Sequence, residues 1–264
     1  PTHMKKNSTA KKTSSTAGAQ GGKTPTARQF VYQRLVQKIV SGEIPSGQPL
    51  YEVPISKELG VSRTPVREAI GQLVSEGVLH EIAGRGTIII EPTRQDIEEI
   101  YQLREALETF AVAMAAERGL ATQDLASIEK LVEGIPVIQA DLEKSGKPAL
   151  SGESLLRFLA SDLRFHMHLL QAAGNRRIVR VIGNTRLLMR IFTFRREQHT
   201  APLLKQVYAY HRQILDAVIN KNPEEAARCM REHIRLSLRE RLAEYQQNWE
   251  SGGQDTGLDE ICFS

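Results

Sequence analysis

Long apolar runs are missing from this chain, as are most cysteines, most aromatics and, over one stretch, every acid. No segment approaches the roughly 18 consecutive apolar residues that a membrane helix needs. The first residues hold no apolar core of the kind that directs export, so a cytoplasmic protein without membrane contact is expected. Cys229 and Cys262 stand far apart without further thiols, too few for a disulfide framework. Cys229 falls on an apolar helical face and reads as a core thiol. Aromatics make up only 5%, while Leu, Ala, Glu, Arg and Gln are plentiful, a balance that favours helices. HExxH, nucleophile-elbow and phosphate-loop motifs are all absent, and so is any internal repeat.

Acids are missing from residues 1–29, which carry Lys5, Lys6, Lys11, Lys12, Lys23 and Arg28 among Ser, Thr, Gly and Ala. Residues 1–25 therefore read as a disordered basic tail, either merely solvated or drawn to phosphates. Pro1-Thr2-His3 reads as an expression remnant, so His3 is not a candidate site residue.

What is present is ordinary globular material. The 264 residues are 41% hydrophobic and 25% charged, enough for two modest domains or one large one, with a net charge of +4. Val31, Leu35 and Ile39 recur every four residues and mark a first helix ending near Ser41-Gly42. Pro45, Gly47 and Pro49 make the next segment a loop. A short second helix is expected over Ile55 to Leu59, with Pro54 in its first turn. Gly60-Val61 breaks the chain, and Ser62 is placed to cap a third helix running to about Glu76. After Gly77, the runs Val78–Ile82 and Thr87–Ile90 flank Ala83-Gly84-Arg85-Gly86, the signature of a two-stranded hairpin. Three helices followed by a hairpin outline a winged helix-turn-helix over 26–92.

From Asp96 to Trp249 apolar residues repeat at three and four. Helices are expected near 96–118, 122–144, 152–173, 176–198, 203–220 and 223–249, separated by Gly119, Gly146–Pro148, Gly174-Asn175, Pro202 and Asn222-Pro223. Short connections make an antiparallel bundle the natural architecture of 96–249. The Gly-rich, acidic end, 250–264, reads as a flexible tail. The fold class expected is mainly α: a winged helix-turn-helix plus an all-helical bundle.

The third helix would expose Arg63, Thr64 and Arg67 on its first turns and bury Val66, Ile70 and Leu73. Arginine at the start of such a helix donates two hydrogen bonds to guanine O6 and N7 in the major groove. Ser62, Thr64 and the backbone N–H groups beside them suit phosphate oxygens. Arg85, between Gly84 and Gly86 at the hairpin tip, is placed to approach a DNA backbone or minor groove. The plain alternative for each arginine is a solvated surface side chain.

The run Gly60-Val-Ser-Arg-Thr-Pro-Val-Arg-Glu-Ala69 closely resembles the GntR family of bacterial transcription regulators. The helical part resembles the FCD effector domain of its FadR-like branch, so the resemblance covers roughly 26–249. It implies a homodimer that binds a palindromic double-stranded operator, usually as a repressor, and releases it when a small metabolite occupies the bundle. By that resemblance Arg63 and Arg67 would read bases, Ser62 and Thr64 would hold phosphates, and the Gly84–Gly86 wing would enter the minor groove. One departure is plain. Some members carry an arginine at the start of the second helix, where this chain has Val53, so their operator preference does not transfer.

Asp162 and His166 lie four residues apart, on one face of a helix. His211 and His233 stand singly on later helices. Spacing alone does not show that four side chains meet, and each histidine has an ordinary reading as a packed or exposed residue. The FCD resemblance supplies the link: many such domains place an Asp-x-x-x-His pair on one helix and a histidine on each of the last two. These positions match Asp162, His166, His211 and His233, implying a divalent transition metal, zinc first, with nickel or manganese as alternatives. His80, His168 and His199 are left out of the set. An ion with open positions would attract a carboxylate effector. Arg104 sits where FCD proteins often place a ligand-facing arginine, against the alternative of a surface pair with Glu108. Arg186 and Arg190 are weaker effector candidates. A metal-dependent hydrolase and a regulator with a purely structural metal are the competing readings.

Overall fold

The computed structural model describes residues 25–250, apart from 42, 46, 83–85, 90, 91 and 194–198, and apart from the side chains of 40, 186–193 and 248–250. The expected basic tail, the acidic end and the wing tip with Gly84 and Arg85 lie outside the described residues. So do the side chains of Arg186 and Arg190.

The first unit comprises α1 (Ala27–Val40), β1 (Pro49–Leu50), α2 (Glu52–Leu59), α3 (Arg63–Ser75), β2 (Leu79–Ile82) and β3 (Gly86–Ile89). Thr26 opens α1 with a capping box: its hydroxyl accepts from Gln29 N–H, and the Gln29 side chain reaches back to the Thr26 N–H. Gly60, at φ +64°, closes α2 in the left-handed conformation that glycine adopts without strain, and this sets the turn into α3. The apolar faces of the three helices and the sheet bury Val31, Leu35, Val66, Leu73, Leu79 and Ile89 in one core. Leu73 is wholly buried there, a position where truncation to alanine costs about 2–5 kcal/mol.

Three expectations change. The wing has three strands, in the order β1-β3-β2, all antiparallel, with Leu79 opposite Ile89 and Leu50 opposite Thr87. β1 falls in the segment expected as a loop. Two residues are too short to show a period, and Pro49 is tolerated because β1 is an edge strand. Ser62 has the extended backbone of an N-cap, yet its hydroxyl makes no capping hydrogen bond. Third, α2 begins at Glu52, three residues before the expected Ile55, with Pro54 still in its first turn.

The second unit comprises α4 (Arg94–Arg118), α5 (Thr122–Ser145), α6 (Gly152–Ala172), α7 (Arg176–Thr193), α8 (Ala201–Ile219) and α9 (Pro223–Glu250). Apart from the end of α7, whose expected limit at 198 lies outside the described residues, these helices begin and end close to the expected limits, because the glycines, prolines and asparagines between them terminate helices locally. Thr93 and Asp96 form the capping box of α4. The long α4 packs along α9, and Arg235 on α9 grips Glu105 on α4 with two hydrogen bonds of 2.7 and 2.8 Å. Ile97, Val112, Ile128, Phe165, Ile214 and Ile234 meet in the main core of the bundle. α7 packs on α4 and α6 and also touches α1 of the winged unit.

Candidate functional site

Helix α6 carries Asp162 and His166 one turn apart, α8 carries His211 and α9 carries His233. The apolar stripes that bury α6, α8 and α9 aim these polar groups inward. One ligand atom from each of the four residues lies within 4.8 Å of all the others. The three imidazoles converge through one edge: His166 Nε2 is 3.2 Å from His233 Nε2, and His211 Nε2 is 3.3 Å from His233 Nε2. Asp162 Oδ1 lies 3.4 Å from His211 Nε2 and 3.8 Å from His166 Nε2. The histidines are buried, while Asp162 is partly open. Phe165 stacks on His211 with ring centroids 3.9 Å apart, which fixes that imidazole plane.

Protons pair this cluster only through long contacts, His233 Nε2 to His166 Nε2 at 3.2 Å and His211 Nε2 to Asp162 Oδ1 at 3.4 Å. His166 donates Nδ1–H to Glu108 Oε2 at 2.7 Å, which leaves its Nε2 as a bare acceptor facing the cluster. Burial holds His233 well below the ordinary imidazole range, and the nearby His211 and His166 push the same way. A neutral His233 has at most one proton for Nε2, so it cannot serve both neighbouring nitrogens. The buried Nδ1 atoms of His211 and His233 have no hydrogen-bond partner among the described residues. A divalent ion satisfies three convergent nitrogens and a carboxylate at once. Tetrahedral ligation at about 2.0–2.1 Å puts neighbouring ligand atoms about 3.3 Å apart, close to the nitrogen separations seen here. Three imidazoles and one carboxylate form a donor set for a divalent transition ion.

Behind His166 lies a carboxylate that sequence reasoning noticed only as a surface partner. Glu108 is fully buried and bridges His166 to Arg104, whose Nε donates to Glu108 Oε1 at 2.7 Å. The expected i,i+4 pair of Arg104 and Glu108 therefore exists, but it is buried rather than exposed, and this corrects the surface alternative. Burial works against the Arg104 charge, Glu108 outweighs it, and the guanidinium stays charged. Arg104 also lies over the Tyr101 ring, 5.0 Å from its centroid. Only the fold reveals the Glu108–His166 contact; the one local signal was a glutamate a turn after Arg104.

Of the histidines left aside, His80 is exposed on β2 and His168 is half-buried on α6. His199 comes closer to the cluster than expected. It precedes α8, packs against Phe158, and has an unpartnered buried Nδ1. Burial, with Arg241 adding to it, lowers its pKa to about 4, and Asp162 pulls weakly the other way.

In the winged unit Ser62, Arg63, Thr64 and Arg67 are all exposed at the start of α3, on one outward surface. Gly86 opens β3 at φ +86°. Val53, the departure noted above, is exposed on α2.

Comparison with known proteins gives two matches along the chain. Residues 27–89 match the bacterial regulatory proteins of the gntR family, and residues 99–236 match the FCD domain. The gluconate operon transcriptional repressor of Bacillus subtilis is 33% identical over 170 residues, which cover 64% of each chain. The probable D-xylose utilization operon transcriptional repressor of Paenarthrobacter nicotinovorans is 28% identical over 213 residues, 81% of this chain and 88% of that one. Among solved structures, Escherichia coli McbR/YncC superposes with a TM-score of 0.68 at 23% identity, covering 84% of this chain and all of that one.

Proposed function

This chain belongs to the gntR family of bacterial regulatory proteins, in the branch with an FCD domain, and we propose that it represses transcription from a palindromic operator until a small carboxylate reaches a metal held by Asp162, His166, His211 and His233. It is a DNA-binding transcriptional regulator. The observation that carries the finer reading is the meeting of four ligand atoms from three helices within 4.8 Å, inside the FCD-matching part.

On this reading the four side chains bind the ion and Glu108 orients His166. An ion that takes more than these four protein ligands would supply a position for an oxygen ligand. Arg104, charged and buried beside the site, offers a second grip on a carboxylate. The partly open Asp162 marks the side from which an effector enters. In the reading head, Arg63 and Arg67 face guanines, Ser62 and Thr64 hold phosphates, and the 84–86 wing follows the minor groove. The uncommitted Ser62 hydroxyl supports a phosphate role. A palindrome calls for two copies of the chain; Leu103 and Phe110, exposed on α4, supply apolar surface for such pairing. Action on an operator places the protein in the cytoplasm, and among the described residues no helix is long and apolar enough to cross a membrane.

Coupling has a physical route. α7 packs on α4 and α6, which carry Arg104, Glu108, Asp162 and His166, and it also touches α1. A shift at the site moves α7 and so changes how each winged unit is held. Two reading helices that no longer fit half-sites one turn apart let go of the operator.

The test is selection of bound genomic fragments by purified full-length protein, with metal content measured on the same sample. A single palindrome upstream of a few genes and about one bound ion per chain support the proposal; the enzymes those genes encode nominate the carboxylate to add back. No enriched sequence from folded, metal-loaded protein overturns the operator reading. Absence of bound metal after equilibration with zinc, nickel and manganese overturns the metal reading.

A further inference from the structure

The two arginines at the start of α3 do not stand alone. Glu52, the first residue of α2, accepts from both of them. Its Oε1 takes Arg67 Nε at 2.7 Å, and its Oε2 takes Arg67 Nη2 at 2.9 Å and Arg63 Nη2 at 3.2 Å. The arginines lie 11 and 15 residues beyond Glu52 in sequence, so the fork exists only because the Gly60 turn folds α2 against α3. Both arginine side chains are more than 60% exposed, while Glu52 is 25% exposed. The hydrogen bond from Arg67 lowers the Glu52 pKa, with Arg63 adding to it, so the carboxylate stays ionised. Exposed ion pairs contribute little to stability. A bidentate carboxylate shared by both outward arginines on the reading face has more to do with where those arginines point.

We propose that Glu52 is a third base-discriminating residue of this reading head, which presets Arg63 and Arg67 and adds a demand for a cytosine beside the guanine that Arg67 reads. The inference rests on the reading that α3 enters the major groove. A guanidinium has a side edge, Nε with Nη2, and an end edge, Nη1 with Nη2. Glu52 occupies the side edge of Arg67 and turns the end edge outward, the pair of donors that suits guanine O6 and N7. Holding the side chain in place before binding removes part of the ordering cost of docking. The carboxylate itself accepts from an amine such as cytosine N4 and is repelled by the O6 of guanine and the O4 of thymine. It is also repelled by phosphates, so sites without the matching amine are held less well by charge alone.

The experiment is selection from randomised duplexes by the full-length, metal-loaded protein, run in parallel for wild type, Glu52→Ala, Glu52→Gln and Arg67→Ala, with melting temperatures recorded for each. The wild-type motif is expected to show the cytosine next to the guanine. Glu52→Ala is expected to lose that preference, to lower the ratio of operator to scrambled-site affinity by about tenfold, and to bind scrambled DNA more tightly. Glu52→Gln, which keeps the shape without the charge, falls between. If Glu52→Ala selects the wild-type motif with the same ratio while Arg67→Ala loses the guanine, the role of Glu52 is overturned and the reading of α3 stands. If Arg67→Ala also leaves the motif unchanged, both fail together.

Discussion

Glu108 on α4 and His166 on α6, 58 residues apart in sequence, meet through a 2.7 Å hydrogen bond in which both side chains are fully buried. The bond fixes the imidazole as the Nδ1–H form and aims the bare Nε2 at His233 and His211. A carboxylate behind a ligating histidine also raises the basicity of the ligand. Glu108→Gln retains most of the volume and leaves Arg104 a hydrogen-bond acceptor, but it removes the charge. We expect metal affinity to fall by about 10–100-fold, measured by competition with a chromophoric chelator, with the four ligand residues untouched. Unchanged affinity in a folded variant assigns Glu108 to balancing Arg104 alone.

Arg63 and Arg67 face outward at the start of α3 and bury nothing that the core needs. Arg63→Ala and Arg67→Ala are therefore expected to melt close to the wild-type temperature. Each is expected to cut the affinity for the selected operator by about tenfold or more while reducing scrambled-site binding far less. Equal losses on both DNAs would show that the arginines contact only phosphate. Fluorescence anisotropy at two salt concentrations separates these outcomes, because phosphate contacts carry the salt slope.

Helix limits were legible in the sequence because Gly119, Gly146, Asn175 and Asn222-Pro223 punctuate a strong three-and-four apolar repeat. Asp162 and His166 were legible as a same-face pair for the same reason, since spacing of four is a local property. Their meeting with His211 and His233 was not local, and only the family likeness led to it. Three features had little or no local signal. β1 is two residues long, too short to show a repeating pattern. Glu108 looked like half of a surface pair, because sequence says little about whether the flanking face of α4 is covered. Glu52 reaches Arg67 only through a turn between helices, a relationship of tertiary structure that neither helix shows by itself.

Cys229 offers a test of the core that is independent of DNA and metal. The thiol is buried on α9 and donates to Glu225 at 3.3 Å. Burial, with Glu225 adding to it, raises its pKa to about 11. The thiolate is the reactive form, so alkylation of the folded chain at pH 8 is expected to be slow compared with the unfolded chain. The sign for stability follows from the same shift. The folded pKa lies above the unfolded one, so the contribution is fully present below about pH 8.5 and is lost as pH rises towards 11. Peptide-resolved mass spectrometry of the Cys229 peptide reads the rate. Equal rates in native and denaturing buffer would place the thiol in solvent.

Removal of the metal distinguishes an effector-binding ion from a purely structural one. Without an ion the Nε2 atoms of His166 and His211 crowd His233 Nε2 at 3.2 and 3.3 Å. Chelation is expected to lower the melting temperature, since an ion present at about a hundred times its Kd stabilises the fold by about 2.7 kcal/mol. If the ion also receives the effector, chelated protein still binds operator but no longer releases it when the nominated carboxylate is added, and zinc restores the release. His211→Ala should reproduce the chelated behaviour without any chelator. A chelated protein that melts earlier yet answers the carboxylate at the same concentration would make the ion structural and move the effector to another site. Arg104 then decides between locations: the loss of response in Arg104→Lys, which keeps the charge and gives up the fork, would keep the effector beside the cluster.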